Sequence, residues 1–168
     1  MKKLLIVLII SILPGSVLFS QNFMREAGLR GGLTSGYTYR QYLDEYLSYE
    51  GIFSFRKAGM QFTLIRQVHE MNPVLDLGTN FNFLYGFGGH VGYYFSDYYK
   101  VFGNAEYYYD QKMFSPVVGV DAYAALEYRL DSFPLVVGMD YKPFFEFSMY
   151  QFFKLRLWDF AFNIRYRF

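Results

Sequence analysis

Apolar and polar side chains alternate with a period of two from Gly28 to the last residue, and no other feature constrains the fold as strongly. Successive side chains of a β-strand point to opposite faces, whereas a helix needs an apolar stripe at i, i+3, i+4 and i+7. None of the alternating segments shows such a stripe. The sequence therefore predicts an all-β chain.

Seven segments alternate well enough to be predicted as strands. They are 29–40, 47–56, 60–64, 80–95, 118–130, 135–149 and 160–168. Arg56-Lys57-Ala58-Gly59 and Asp131-Ser132-Phe133-Pro134 are predicted as turns, and Pro143 interrupts the sixth strand. Because a bacterial barrel with both termini on one side needs an even number of strands, we expect an eighth, within either 100–109 or 152–157.

The N-terminal segment has the layout of a secretory signal peptide. Lys2 and Lys3 precede a stretch at 4–13 that is apolar except for Ser11, and Pro14-Gly15 follows it. A membrane-spanning helix needs about 20 apolar residues, twice the length present here. We predict cleavage after Ser20, so that 1–20 is the signal peptide and 21–168 is a single barrel domain; a retained N-terminal anchor is the alternative.

The two faces of the predicted strands differ sharply in chemistry. One carries Phe, Tyr, Leu, Val and Met, and the other carries charged residues, amides, hydroxyls and glycine. The charged face is unsuited to an apolar ligand-binding lumen such as that of a soluble lipocalin-like barrel, and aromatic residues, 23% of the chain, exceed what an ordinary soluble core requires. We therefore predict a single antiparallel up-and-down transmembrane β-barrel of about eight strands. A soluble β-sandwich that buries both aromatic faces is the alternative.

The last strand carries the most specific pattern. Phe160, Phe162, Ile164, Tyr166 and Phe168 alternate with Asp159, Ala161, Asn163, Arg165 and Arg167, and the chain stops at an aromatic residue. This resembles the C-terminal assembly signal, or β-signal, of Gram-negative outer-membrane proteins. With the signal peptide and the absence of cysteine, the mature chain resembles the small outer-membrane β-barrel proteins, although Trp158 is its only Trp, so that an interfacial girdle must be mainly Tyr and Phe.

That resemblance implies a location and partners. We expect the protein in the outer membrane, in contact with outer-membrane lipid, after export through the inner membrane. The barrel-assembly machinery and periplasmic chaperones are the partners that it implies during biogenesis. The near balance of 16 basic and 15 acidic residues gives no basic field for nucleic acid.

The lumen of an eight-stranded barrel is just wide enough to be filled by side chains. The alternation directs a nearly balanced set of charges into it, namely Arg30, Glu50, Arg56, Asp121, Glu127, Arg129, Asp140, Lys142, Glu146, Arg165 and Arg167. We interpret this lumen charge network as a salt-bridged plug, since unpaired charges in a confined lumen are costly. A proton or ion path, or a narrow pore, is the alternative.

Catalytic and metal-binding residues are not evident. Of the two histidines, His69 is expected at the start of a surface loop and His90 within a strand, and no Ser lies at a recognisable motif distance from either. His69 and Glu70 are adjacent, so on a strand they would point to opposite faces. We assign no catalytic residue, cofactor or metal. Some barrels of this size are lipid A deacylases or acyltransferases, and this lipid-modifying activity is the alternative function.

The predicted function is therefore that of a non-enzymatic integral outer-membrane barrel with a structural, surface-interaction or adhesion role. The Tyr-rich stretches 37–46 and 93–109 are predicted as exposed loops. Their aromatic side chains would anchor the rim of the barrel in the membrane, or would bind an extracellular ligand.

Overall fold

A computed structural model of the chain describes residues 25–56, 58–70, 80–100, 106–149 and 153–168, without the side chains of 96–100 and 106–112. The predicted signal peptide at 1–20 and the first residues of the barrel domain lie outside the described residues. Regular structure in the described part is entirely β. No helix there is long and apolar enough to cross a membrane.

The described residues form ten β segments. These are β1 Arg25–Gly32, β2 Ser35–Tyr42, β3 Leu47–Arg56, β4 Gly59–Glu70, β5 Phe81–Lys100, β6 Glu106–Arg129, β7 Leu135–Tyr141, β8 Phe144–Ser148, β9 Lys154–Arg156 and β10 Phe160–Arg167. All pairings are antiparallel, in the order β5-β4-β3-β2-β1-β10-β7-β6-β8-β9, and a further pairing of β5 with β6 closes the sheet.

Two of the barrel strands are each built from two segments. β6 pairs in one continuous register with both β7 and β8, and Pro143, which has no backbone N–H to donate, separates them. β9 and β10 likewise pair with β8 and β7, and are separated by residues 157–159. The molecule is therefore a closed antiparallel barrel of eight up-and-down strands, which confirms the predicted barrel architecture.

The eighth strand lies in neither of the two places where the sequence predicts it. In 100–109, Lys100 ends β5 and Glu106 begins β6, whereas Lys154–Arg156 is the first part of the last strand. The extra strand lies in 29–40, which is a hairpin of β1 and β2. Because its connection has only two residues, Leu29 pairs with Tyr37 and odd-numbered residues stay on one face. The alternation therefore passes through the turn unbroken.

The two ends of the barrel differ. We call the end with Arg25 and Phe168 the terminal end, and the opposite one the distal end. At the distal end the hairpin of β5 and β6 extends beyond its neighbours, because β4 stops where Gly59 pairs with Tyr94 while β5 and β6 continue to the pair Lys100 and Glu106.

The prediction that 37–46 and 93–109 are loops is wrong for most of their length. Ser35–Tyr42, Phe81–Lys100 and Glu106–Arg129 are strands that include most of these tyrosines. Tyrosine favours the pleated, half-buried surface of a sheet, so a Tyr-rich stretch extends a strand as readily as it forms a loop.

The lumen also contains apolar side chains. Ile52, Ile65, Leu84, Tyr123 and Ala125 form a buried cluster on the side of β3 to β6. The charge network therefore occupies only part of the interior.

β4 and β5 lie close together at Gly88, where a residue with a Cβ would not fit. A Cβ added to Gly88 of β5 would overlap the carbonyl oxygen of Leu64 on β4. At Gly31 of β1, by contrast, an added Cβ would meet nothing within 4 Å.

Candidate functional site

The lumen brings together most of the charges that the alternation directs into it. Nine of the eleven predicted residues form ion pairs with one another or with neighbours in the described structure. They are Arg30, Glu50, Arg56, Asp121, Glu127, Asp140, Lys142, Glu146 and Arg165. Arg129 and Arg167 lie near the terminal end and are partly exposed, and Arg167 also has an interaction partner.

Five of the charged side chains form what we call the terminal cluster: Glu26, Arg40, Glu50, Glu127 and Arg165. Arg40 contacts the carboxylates of Glu26 at 2.9 Å, Glu50 at 3.0 Å and Glu127 at 2.8 Å. Arg165 contacts Glu127 at 2.6 Å and Glu50 at 2.9 Å. Each arginine thereby bridges strands on different sides of the lumen.

A second group, the distal cluster, contains Arg30, Arg56, His90, Asp121, Asp140, Lys142, Glu146, Lys154 and Asp159. Lys142 Nζ lies 3.1 Å from Asp121 and 3.3 Å from Asp159, and His90 Nδ1 lies 2.7 Å from Asp121. Towards the distal mouth, Glu146 pairs with Arg56 at 2.7 Å and with Lys154 at 3.3 Å. The four carboxylates of this cluster thus face four fixed cations and one histidine.

Sequence reasoning left five members of the two clusters out of the network: Glu26, Arg40, His90, Lys154 and Asp159. For most of these residues, the odd or even position in the strand already predicts that the side chain faces the lumen. Asp159, for example, follows the same alternation as Arg165, and Arg40 the same alternation as Arg30. Glu26 lies before the first residue at which the alternation was recognised, and therefore had no assigned face.

His69 is not at the start of a surface loop, so that prediction is wrong. It is the penultimate residue of β4 and is buried in the lumen, because the strand continues six residues beyond the predicted end at Leu64. Ser48 Oγ lies 2.7 Å from His69 Nε2, and Asn82 Nδ2 lies 2.9 Å from His69 Nδ1. Sequence motifs missed this triplet because its three residues come from three strands.

The predicted C-terminal assembly signal lies on the outer surface. Phe160, Phe162, Ile164, Tyr166 and Phe168 are all exposed and face away from the lumen. β10 pairs with β7 on one side and with β1 on the other, so this strand forms the seam between the first and the last strand.

Among the described residues, no group of three or more His, Cys, Asp or Glu side chains is arranged to hold a metal ion. Comparisons with protein-family models, with curated proteins and with solved structures find no match for this chain.

Proposed function

We propose that the protein is an integral outer-membrane β-barrel with a non-enzymatic, structural or surface-interaction role, whose lumen is a plug of ion pairs. The observation that carries this proposal is the inverted distribution of polarity. Among the described residues, buried polar or charged side chains outnumber buried apolar ones by 23 to 10, whereas 34 large apolar side chains are exposed. Monomeric water-soluble proteins rarely expose contiguous apolar surface on this scale.

A band of outward-facing apolar side chains, nearly free of charge, supports insertion into a bilayer. Among strand residues with described side chains, the charged ones facing outward are Arg25, Arg66 and Glu70, all in the half of their strand nearer the terminal end. Most other outward-facing side chains are Phe, Tyr, Leu, Val, Ile or Met, although Ser35 and Gln41 of β2 also face outward. Closure supports insertion as well, since a closed barrel pairs its backbone groups within the wall and leaves few of them unpaired in hydrocarbon.

The packed lumen favours a plug over a pore. The terminal cluster contains Arg40 and Arg165, each held by two or more carboxylates at 3.0 Å or less, and both are fully buried. Opening a path through them would separate ion pairs that are shielded from water, which is expensive. A surface role would fall to the distal hairpin of β5 and β6, which extends beyond the neighbouring strands.

The proposal is tested by expressing the full chain in a Gram-negative host and separating the membranes on a density gradient. We expect the protein in the outer-membrane fraction, with faster gel migration before boiling than after it. Reconstituted into vesicles, it should not cause swelling in small sugars. A monodisperse water-soluble monomer without detergent would overturn the membrane assignment, and rapid swelling would overturn the plug.

A further inference from the structure

We propose that the outward face of the wall at Arg66 binds one phospholipid with an anionic headgroup, in the leaflet at the terminal end of the barrel. The phosphate of this lipid contacts Arg66, and one of its acyl chains lies over Gly89. The inference rests on the membrane insertion proposed above. It goes further because it names one class of lipid and one place on the wall.

A row of polar side chains crosses the outward face of four consecutive strands. The register places Arg25 opposite Gln41, Gln41 opposite Tyr49, and Tyr49 opposite Arg66. We call these four residues the polar row. On its distal side, the outward positions of β1 to β4 carry Ala, Gly, Leu, Tyr, Phe and Met, apart from Ser35 at a turn. The polar row therefore marks where the apolar band of these strands ends.

The two arginines of the polar row have different surroundings. Arg25 begins β1, and its Nε donates a hydrogen bond to Gln41 at 3.0 Å. Arg66 lies four residues before the end of β4, about 13 Å along the strand from Glu70, the other outward charge of β4. Of the side chains that the structure describes, none forms an ion pair or hydrogen bond with Arg66. A guanidinium on a lipid-facing wall is costly unless it reaches an anion or the headgroup region.

A lipid phosphate is the anion that fits this guanidinium. Arginine donates two parallel N–H groups to two phosphate oxygens, a geometry that a lysine does not offer. Tyr49 lies directly opposite Arg66, and its hydroxyl can donate to a third oxygen. A zwitterionic headgroup brings its own cation beside Arg66, whereas an anionic headgroup does not. The charge of the site therefore favours an anionic headgroup.

The wall surface next to Arg66 has a depression of the kind that an acyl chain can fill. Gly89 of β5 faces outward between Leu64 of β4 and Val120 of β6, and Phe87 and Val91 flank it along its own strand. All four neighbours are large apolar side chains that are exposed. A Cβ added to Gly89 would meet one heavy atom within 4 Å, a backbone oxygen of β6. The four side chains therefore surround a gap at Gly89.

The spacing of the two features suits a single lipid molecule. Arg66 pairs with Phe87, so Gly89 is its diagonal neighbour across the strands, at about 7–8 Å. Gly89 lies on the distal side of Arg66, in the direction of the apolar band. A lipid whose phosphate contacts Arg66 therefore directs its chains towards Gly89. This second contact distinguishes a lipid site from a lone arginine that reaches the headgroup region.

The probes for this site are dioleoyl phosphatidylglycerol and dioleoyl phosphatidylcholine, which share their chains and differ in headgroup charge. The full protein, folded in neutral maltoside micelles, is titrated with each lipid, and bound lipid is counted by native mass spectrometry. We expect phosphatidylglycerol to bind about fivefold more tightly or better, which is what one basic residue contributes near anionic lipid. Arg66→Gln should abolish this preference. Arg25→Gln is the matched control, because it removes the same charge from the other end of the polar row.

Two further variants test the contacts separately. Gly89→Val fills the gap with a side chain suited to a strand and should weaken binding of both lipids severalfold. Gly31→Val is its control, because Gly31 also faces outward and a Cβ added there meets nothing within 4 Å. Arg66→Lys keeps the charge but loses the paired donors, so it should restore part of the preference that Arg66→Gln removes. Heat-modifiable migration on a gel confirms that each barrel is folded.

The outcomes that overturn the site are distinct from those that overturn the membrane assignment. A folded wild type that binds both lipids equally would refute it. Equal losses in Arg25→Gln and Arg66→Gln would refute it too, since they would show general attraction of anionic lipid to a positive surface. Equal effects of Gly89→Val and Gly31→Val would refute the contact with the acyl chain. Each of these results leaves insertion of the barrel into membranes unaffected.

Discussion

Arg30 and Asp140 form a buried ion pair at 2.6 Å between strands that are not neighbours, because β10 runs between β1 and β7. Asn163 of β10 donates a hydrogen bond to the same carboxylate at 2.6 Å. The contact thus joins three consecutive strands at the seam where the barrel closes.

Replacing one member of this ion pair should lower the free energy of unfolding. Asp140→Leu leaves the buried Arg30 with Asp159, at 3.5 Å, as its remaining carboxylate among the described residues, and should lower the free energy of unfolding by about 3–5 kcal/mol. The double variant with Arg30→Met should regain most of that loss, because no charge then stays unpaired. Urea unfolding in detergent, followed by Trp158 fluorescence, measures both; a single variant as stable as the wild type would contradict the prediction.

A charged side chain on the outward face should destabilise the barrel in a bilayer. Val120 is 60% exposed on β6, where that strand has partners on both sides. Val120→Arg should destabilise the barrel in a bilayer by about 2–4 kcal/mol if it lies near the midplane. Ser132→Arg, in the exposed turn before β7, should change stability by less than about 0.5 kcal/mol. Equal effects of the two changes in vesicles would show that Val120 does not face lipid.

The terminal aromatic residue should matter for assembly more than for stability. Phe168 is half-exposed, and its backbone N–H donates to the carbonyl of Arg25 at 3.0 Å. Deleting Phe168 should reduce the amount of heat-modifiable barrel in cell membranes severalfold, while the purified variant should still refold in detergent. Phe168→Tyr is the control and should assemble normally. Normal assembly of the deletion variant would refute recognition of the C-terminal strand.

A methyl group added inside the wall should be tolerated far less well than one added outside it. Gly88→Ala places a Cβ against the carbonyl oxygen of Leu64 and should cost about 1–3 kcal/mol in unfolding free energy. Gly31→Ala meets open space, so it should be neutral within about 0.5 kcal/mol. Comparison of their urea midpoints tests the close approach of β5 to β4 at Gly88.

Strand number was predictable from sequence, but strand boundaries were not. The even-number rule required an eighth strand, yet the two-residue connection between Gly32 and Ser35 keeps the period of two intact. Odd-numbered residues face outward on both sides of this turn, so the alternation shows no break between the two strands. Pro143, in contrast, interrupts both the pattern and the strand, and was located correctly.

Which residues face the lumen followed from parity, but which of them meet did not. Arg40 contacts Glu127 across the barrel from β2 to β6, and that contact depends on the stagger of every strand between them. No spacing in the sequence records this stagger. His69 was misplaced for a simpler reason, because Arg66 interrupts the apolar face of β4 and the predicted strand was ended before it.

The terminal cluster of ion pairs can form completely only when the last strand of the barrel is in place. Arg165, carried by the last strand, sits between Glu50 of the third strand and Glu127 of the sixth. A half-rolled sheet can make most of the same backbone ladder, but it leaves Arg40 as the one arginine of the terminal cluster for the carboxylates of Glu26, Glu50 and Glu127. Folding intermediates that lack the last strand should therefore be unstable. We expect the barrel to close in one cooperative step, when the last strand pairs with the first.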